Sequence, residues 1–243
     1  MAKTFKKVLA ASVAVSALAA CASQGPTDNP VARNLTWDRY VGGDDIARSC
    51  TSPGAPTRYR LVYNARQDDQ QKTYDFSELP GGELMLEARV IGKGNLADRQ
   101  TPISIADPIG PWRGSQALYR LSLAEAGRFR AALTKTGFEN AAPEGLFLRG
   151  DTFYWTASAC REGQFHFHAW AWPSPEFDQM AVPLIEALAP LDKTGVEAIR
   201  PYEVPLPPYS IYLDRQGRQP GGVPHQYQVG ANGLKYSQGI WFN

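Results

Sequence analysis

The chain has 243 residues, of which 43% are hydrophobic and 20% are charged. This is the composition of a globular protein with one large core or two small ones, and it excludes wholesale disorder as the starting assumption. Lysine and arginine total 25 against 24 acidic residues, a balance that gives no argument for binding nucleic acid or acidic lipid.

The first segment has the features of a secretory signal peptide. Three lysines precede an apolar run from Val8 to Ala20 that contains no acidic residue. The run is shorter than the roughly 20 residues that a membrane-spanning helix needs, and its positive start and small residues are typical of a signal sequence. We therefore expect residues 1–20 to be removed on export.

The apolar run ends in the sequence Leu18-Ala19-Ala20-Cys21, which resembles the lipobox of bacterial lipoprotein precursors. The resemblance covers residues 1–23. It implies that Cys21 receives a diacylglyceryl group, becomes the first residue of the mature chain, and is then acylated on its amino group with a chain such as palmitate. Several acyl chains together give stable anchoring. Ala22 stands where many lipoproteins kept at the inner membrane have aspartate, so the resemblance favours the periplasmic leaflet of the outer membrane.

Lipidation of Cys21 would leave Cys50 and Cys160 as an even pair in an oxidising compartment. We expect these two residues to form a disulfide bond. Closing a loop of 110 residues would remove about 4 to 5 kcal/mol of unfolded-chain entropy in the loop-closure description. The alternatives are two free buried thiols or a reactive Cys160.

The next elements predict an antiparallel meander. Residues 21–34 are small and polar and are typical of a tether. Strand-like runs follow at 57–65, 72–76 and 83–91, separated by turn residues. The third run alternates apolar and charged residues, as in a sheet with one wet face. Residues 92–111, with three glycines and three prolines, predict a loop.

Two helices are predicted after this loop. The first begins at Ser122, which with Glu125 forms a capping box pattern, and Gly137 can end it. The second begins at Ser174, and we expect Pro183 to kink or split it. Their apolar stripes comprise Leu123, Ala126, Phe129 and Leu133 in the first helix, and Phe177, Met180, Ala181, Leu184 and Leu188 in the second.

Between the helices, the segments 153–160 and 164–172 predict a β-hairpin. A two-residue turn would place Glu162 at positive φ, which glutamate tolerates poorly, so we expect a three-residue loop that pairs Cys160 with Gln164. This register predicts one apolar face for the core and an opposite face of hydroxyls, imidazoles and indoles. The candidate ligand-binding residues on that face are Tyr154, Thr156, Ser158, His166, His168 and Trp170.

The same face also has a purely structural interpretation, in which the rest of the domain covers hydrogen-bonded side chains. We expect no metal site, because His166 and His168 supply only half a zinc ligand set and no carboxylate lies on the face. We expect no cofactor and assign no catalytic residue, since the chain lacks a Gly-x-Ser-x-Gly elbow, a phosphate loop and a His-Glu-x-x-His pair. Cys160 with His166 as base would require a free thiol.

The remaining residues, 196–243, are rich in proline and glycine. This tail is typical of an extended arm, of a short hairpin at 209–218, or of a segment that orders on a partner.

Taken together, the patterns predict one α+β domain at residues 35–195, with an antiparallel sheet of about five or more strands and two helices. The predicted function is that of a non-catalytic outer-membrane lipoprotein that binds an envelope protein or helps to assemble one. The alternatives are a small-ligand-binding lipoprotein that uses the face of His166, His168 and Trp170, and a hydrolase without a recognisable motif.

Overall fold

The computed structural model of the chain describes residues 25–27, 29–66, 69–92, 114–201 and 226–235. The helices in these ranges are α1 (Pro30–Val41), α2 (Asp44–Cys50), α3 (Leu123–Lys135) and α4 (Pro175–Leu188). The strands are β1 (Arg58–Ala65), β2 (Gln70–Glu78), β3 (Leu84–Gly92), β4 (Ser115–Leu121), β5 (Phe147–Arg149), β6 (Phe153–Arg161), β7 (Gln164–Ala171), β8 (Gln226–Gly230) and β9 (Gly233–Lys235). No helix within the described residues is both long and apolar enough to cross a membrane.

Six strands form one antiparallel sheet in the order β4-β3-β2-β1-β6-β7. Strands β1, β2 and β3 follow one another as the predicted meander, with Leu61 opposite Tyr74 and Tyr74 opposite Ala88. Aromatic and β-branched residues suit these half-buried or buried pleated positions. The prediction of an α+β fold on a large antiparallel sheet is confirmed.

Before α3, three elements lie where the sequence patterns predict none. Helix α1 begins with Pro30 at its first position, and Ala32 N donates to the side-chain oxygen of Asn29 at 3.1 Å, so the end of the predicted tether is helical. Helix α2 follows Gly43, which has a φ of 74°. Strand β4 is an edge strand with mostly exposed or half-buried residues, and it therefore lacks a strong apolar alternation. Almost all of the predicted loop at 92–111 lies outside the described residues.

One face of the main sheet packs against α3 and α4, and we call it the helix face. Its core includes Tyr59, Leu61 and Tyr63 from β1 together with Phe129 and Leu184 from the helices. The predicted capping box is present at the start of α3, and Ser174 caps α4 by accepting from Phe177 N at 3.1 Å. Helix α4 continues through Pro183 and is not split. Leu123, predicted to belong to the buried stripe, is 59% exposed because it lies in the first turn, at the edge of the contact.

The other face is covered by α1, α2 and a small sheet of order β5-β8-β9, and we call it the N-terminal face. Strands β8 and β9 come from the Pro/Gly-rich tail, and Tyr227 and Val229 in β8 are buried with Trp37 of α1. The tail therefore contributes to the core at residues 226–235. The hairpin predicted at 209–218 lies outside the described residues.

Candidate functional site

The β6–β7 hairpin has a two-residue turn, so the predicted three-residue loop is wrong. Arg161 pairs with Gln164 and Cys160 pairs with Phe165. Glu162 and Gly163 have φ values of 53° and 73°, the left-handed pair that a type I′ turn needs. Left-handed backbone at a residue with a Cβ costs about 1 to 2 kcal/mol, and the buried pairs along both strands outweigh this cost.

The observed register differs from the predicted one by one residue. Because successive side chains alternate across a strand, each β7 side chain lies on the face opposite to the predicted one. His166 now lies opposite Ala159, and His168 lies opposite Ala157. The predicted single face of hydroxyls and imidazoles is therefore wrong. The structure brings His166, His168 and Trp170 together on the helix face, and it places Tyr154, Thr156 and Ser158 on the N-terminal face.

The three hydroxyl residues are buried under the N-terminal helices and the small sheet. Thr156 Oγ1 donates to the carbonyl of Val41 at 3.2 Å. Ser158 lies against Gly43, where an added Cβ would come 2.5 Å from Ser158 Oγ, so the glycine permits α2 to approach the sheet closely. Burial raises the pKa of the Tyr154 hydroxyl well above its usual value, with a further contribution from Asp38. These contacts give the three side chains packing roles.

On the helix face, His168 is buried and His166 is half-buried. His166 Nε2 donates to the carbonyl of Phe138 at 2.5 Å. His168 stacks on Trp170 with ring centroids 4.5 Å apart. Burial lowers the pKa of His168 to about 4, with His166 acting in the same direction, so the His168 imidazole is neutral at physiological pH. A covered, neutral and stacked imidazole has the environment of a core residue.

The predicted disulfide between Cys50 and Cys160 is present, with Cα atoms 5.5 Å apart. The bond joins the last residue of α2 to β6 and packs with Ile46 in a small buried cluster. Because Cys160 is oxidised, it is not available as a thiolate, and the pairing of Cys160 with His166 as nucleophile and base does not exist in this structure. Among the described residues no group of three or more His, Cys, Asp or Glu could hold a metal ion.

A buried ion cluster attaches the N-terminal helices to the sheet. Arg60 in β1 lies between Asp75 in β2 and Asp45 in α2, with Nε to Asp75 Oδ1 at 2.7 Å and Nη1 to Asp45 Oδ1 at 2.6 Å. Its guanidinium lies 3.8 Å from the ring centre of Tyr40, whose hydroxyl donates to Asp75. The hydrogen bonds within the cluster compensate for the burial of these charges. The cluster therefore has a structural role, which is to hold α2 against the main sheet.

A cavity of about 620 Å3 lies on the helix face, away from the predicted residues. It is bounded by β2, β6, α4 and the segment that follows α4. This volume is within the roughly 300–1,000 Å3 range of small-molecule sites. The described residues that line it are Lys72, Tyr74, Trp155, Ile185, Leu188, Ala189, Asp192, Gly195, Val196, Glu197, Ala198 and Arg200.

The polar centre of this cavity is a buried ion pair. Lys72 Nζ lies 2.6 Å from Asp192 Oδ2, and the Tyr74 hydroxyl donates to the same oxygen at 2.9 Å. Burial acts to raise the pKa of the Asp192 carboxyl, but hydrogen bonds from Lys72 and Thr194 outweigh it and hold that pKa below its usual value. Burial, assisted by Asp192, raises the pKa of the Tyr74 hydroxyl. At neutral pH the cavity therefore contains the Asp192 carboxylate, paired with Lys72, and a neutral Tyr74 phenol.

The segment that follows α4 is hydrogen-bonded across the sheet. The Tyr63 hydroxyl donates to the carbonyl of Ile199 at 2.6 Å. Gln70 bonds twice to the backbone of this segment, donating to Glu197 O at 2.8 Å and accepting from Ile199 N at 3.0 Å. These contacts hold the wall of the cavity in place without closing its volume.

Sequence reasoning missed this cavity, although one signal points to it. Lys72, Tyr74 and Phe76 alternate along β2 and so share one face. The tyrosine and the phenylalanine are core residues, and a lysine in line with them is a charge on an apolar face. A buried lysine needs a partner, but Asp192 lies 120 residues later in the chain, and no local pattern connects the two.

Comparisons with protein-family models, with curated proteins and with solved structures found no match for this chain.

Proposed function

We propose that the chain is an exported lipoprotein, anchored through Cys21 to the periplasmic leaflet of the outer membrane, and that its folded part is a non-catalytic binding module. The observation that carries the anchor is the disulfide. The chain has three cysteines, Cys50 and Cys160 are bonded to each other, and the third stands at the end of the lipobox-like sequence. A disulfide also fits an oxidising compartment.

The start of the fold supports a short distance between anchor and domain. Gly25 is buried, and a Cβ at this position would lie 3.8 Å from Asp45 Oδ2 in α2. Gly25 is four positions after Cys21, and an extended chain over that separation spans at most about 14 Å. An anchor at Cys21 would therefore hold the N-terminal helices close to the membrane surface.

The anchor is tested by Cys21→Ser. We expect this variant to lose incorporation of labelled palmitate and to leave the membrane fraction when cells are fractionated without detergent, because the thioether that attaches the lipid cannot form. Cys160→Ser is the matched control, since it removes a cysteine and breaks the disulfide but keeps Cys21, and it should remain labelled and membrane-bound. Membrane association of Cys21→Ser at the level of the unaltered chain would contradict the proposal.

Two binding roles are compatible with an anchored domain. The role of binding or assembling an envelope protein stays a prediction, and it is tested by crosslinking the intact chain in cells and identifying the captured protein. Deleting residues 196–243 is not a suitable test, because it would also remove β8 and the backbone that bonds to Gln70. The cavity at Lys72 and Asp192 is the observation that favours a small ligand.

A further inference from the structure

The cavity has an unequal number of available donors and acceptors. The Asp192 carboxylate accepts four hydrogen bonds, from Lys72 Nζ at 2.6 Å, Tyr74 OH at 2.9 Å, Thr194 N at 3.0 Å and Thr194 Oγ1 at 2.5 Å. Four bonds are the full capacity of a carboxylate. The central acceptor of the cavity is therefore saturated by the protein itself.

Two residues that line the cavity carry hydrogen-bond donors that are not saturated by the described residues. The indole Nε1–H of Trp155 has no hydrogen-bond partner among the described residues, although Trp155 is only 1% exposed. Lys72 Nζ carries three hydrogens and, within the part of the chain that the structure describes, has two partners, Asp192 Oδ2 and the carbonyl of Val196. A buried polar group without a partner is unfavourable, so the indole N–H favours a ligand that brings an acceptor, and Lys72 has one hydrogen left for the same acceptor.

The rest of the wall determines the other half of the ligand. Ile185 and Leu188 of α4 and Val196 and Ala198 of the following segment give the cavity an apolar side. Arg200 and Glu197 also line the cavity, but both are exposed and carry opposite charges. The features of the cavity that select a ligand are thus the Lys72 side chain, the Trp155 indole N–H and the apolar side.

We infer that the cavity binds an acyl group, that is, an apolar chain ending in a carboxylate or carbonyl oxygen. The oxygen would accept from Trp155 Nε1 and from the third hydrogen of Lys72, and the chain would lie along Ile185 and Leu188. A carboxylate would gain a charge-assisted hydrogen bond from the ammonium, whereas an ester would gain only the neutral acceptor contact. This inference rests on the proposed ligand-binding role and names the ligand class for it.

The test titrates octanoate into the full-length Cys21→Ser chain, which carries no acyl group of its own and is purified without detergent. The readout is the set of indole Nε1–H resonances from the six tryptophans, in which Trp155→Phe identifies the resonance of Trp155. We expect that resonance to shift in a saturable manner. Comparing the affinity of methyl octanoate with that of octanoate shows whether the cavity prefers an ester or a free acid. Octan-1-ol, which has no carbonyl, should bind at least tenfold more weakly than octanoate.

Matched variants show whether the named donors hold the acyl oxygen. Lys72→Met should weaken octanoate binding at least tenfold, and Lys193→Met, which removes an exposed lysine bonded to Pro190 O, should leave it unchanged. Because Lys72→Met leaves Asp192 without its cation, Trp155→Phe provides a second variant that keeps an aromatic ring beside Tyr63. It should weaken binding severalfold, while Trp170→Phe should not.

The outcomes separate the ligand class from the binding role. Octanol binding as tightly as octanoate, with the Trp155 resonance shifting for both, would overturn the acyl class and leave a ligand-binding cavity. No shift with octanoate, its ester or octanol up to millimolar concentration would overturn both the acyl class and the small-ligand role. Neither result would affect the lipid anchor, which the fractionation of Cys21→Ser tests separately.

Discussion

At the scale of single residues, Arg60 shows how this sheet tolerates charge on a buried face. The side chain is 1% exposed and bonded to Asp45, Asp75 and the carbonyl of Tyr40. Burial opposes the charge of the guanidinium, but Asp75, Tyr40 and Asp45 together raise its pKa above the usual value. The cluster thus holds α1 and α2 against the sheet through the Arg60 guanidinium, which stays protonated at physiological pH.

Arg60→Met is expected to lower the free energy of unfolding by about 3 to 5 kcal/mol, because it leaves Asp75 buried without its cation and leaves Asp45 with only the more exposed Arg58. Urea denaturation monitored by circular dichroism measures this. Arg58→Met is the matched control, since Arg58 also contacts Asp45 at 3.2 Å but is 23% exposed, and a pair of that kind contributes about 1 kcal/mol or less. Equal losses from both variants would contradict a special role for the buried arginine.

The cluster also implies a direction for the effect of pH. Burial acts to raise the pKa of Asp45, but Arg60 and Arg58 overcome it and lower that pKa below its usual value of 3.8. The stabilisation from ionised Asp45 is therefore complete above pH 3.8 and is lost as the pH falls towards the lower pKa of the folded state.

At the scale of elements, the β6–β7 turn decides which side chains reach which core. Glu162 adopts a φ of 53°, a conformation that asparagine and glycine accept more readily than glutamate. The turn is thus a local strain that the pairing of the two strands imposes.

Glu162→Asn is expected to raise the free energy of unfolding by about 1 kcal/mol, since it relieves most of the left-handed penalty and keeps the turn. Thermal and urea unfolding measure the gain. Glu162→Gln removes the same charge but keeps the unfavourable conformation, so it should match the unaltered chain. If the asparagine variant were no more stable than the glutamine variant, the result would contradict a left-handed conformation of residue 162 in a two-residue turn.

At the scale of the whole molecule, the Cys50–Cys160 bond joins the N-terminal layer to the centre of the sheet. It closes 110 residues of chain and connects α2 to the strand that lies between β1 and β7. Under the proposed anchoring at Cys21, the bond would join the N-terminal helices beside the anchor to the main sheet.

The double variant Cys50→Ala/Cys160→Ala is expected to lose about 2 to 5 kcal/mol of stability, chiefly because the unfolded chain regains loop entropy. Unfolding in urea measures the loss. For the unaltered chain, mass spectrometry without reductant should show one crosslinked peptide pair containing Cys50 and Cys160. Cys21→Ser should unfold like the unaltered chain. Alkylation of Cys160 in the native, unreduced protein would contradict the bond.

The sequence by itself determined the types of the central elements and the disulfide. The Ser122 capping box, the apolar period of the helices and the strand patterns of β1 to β3 are local features, and the energies behind them act within a few residues. The predicted pairing of Cys50 with Cys160 followed from the even pair of cysteines that remains once Cys21 is assigned to the lipobox-like sequence.

Only the tertiary structure decided the hairpin register and the cavity. The turn alone favoured a three-residue loop by about 1 to 2 kcal/mol, and the pairing of β6 with both β1 and β7 outweighed that preference, which moved His166 and His168 to the helix face. The cavity depends on Lys72 and Asp192, which are 120 residues apart in the chain. Such a contact exists only after the sheet and α4 have packed, because a buried charge acquires its partner from the fold and not from its neighbours in sequence.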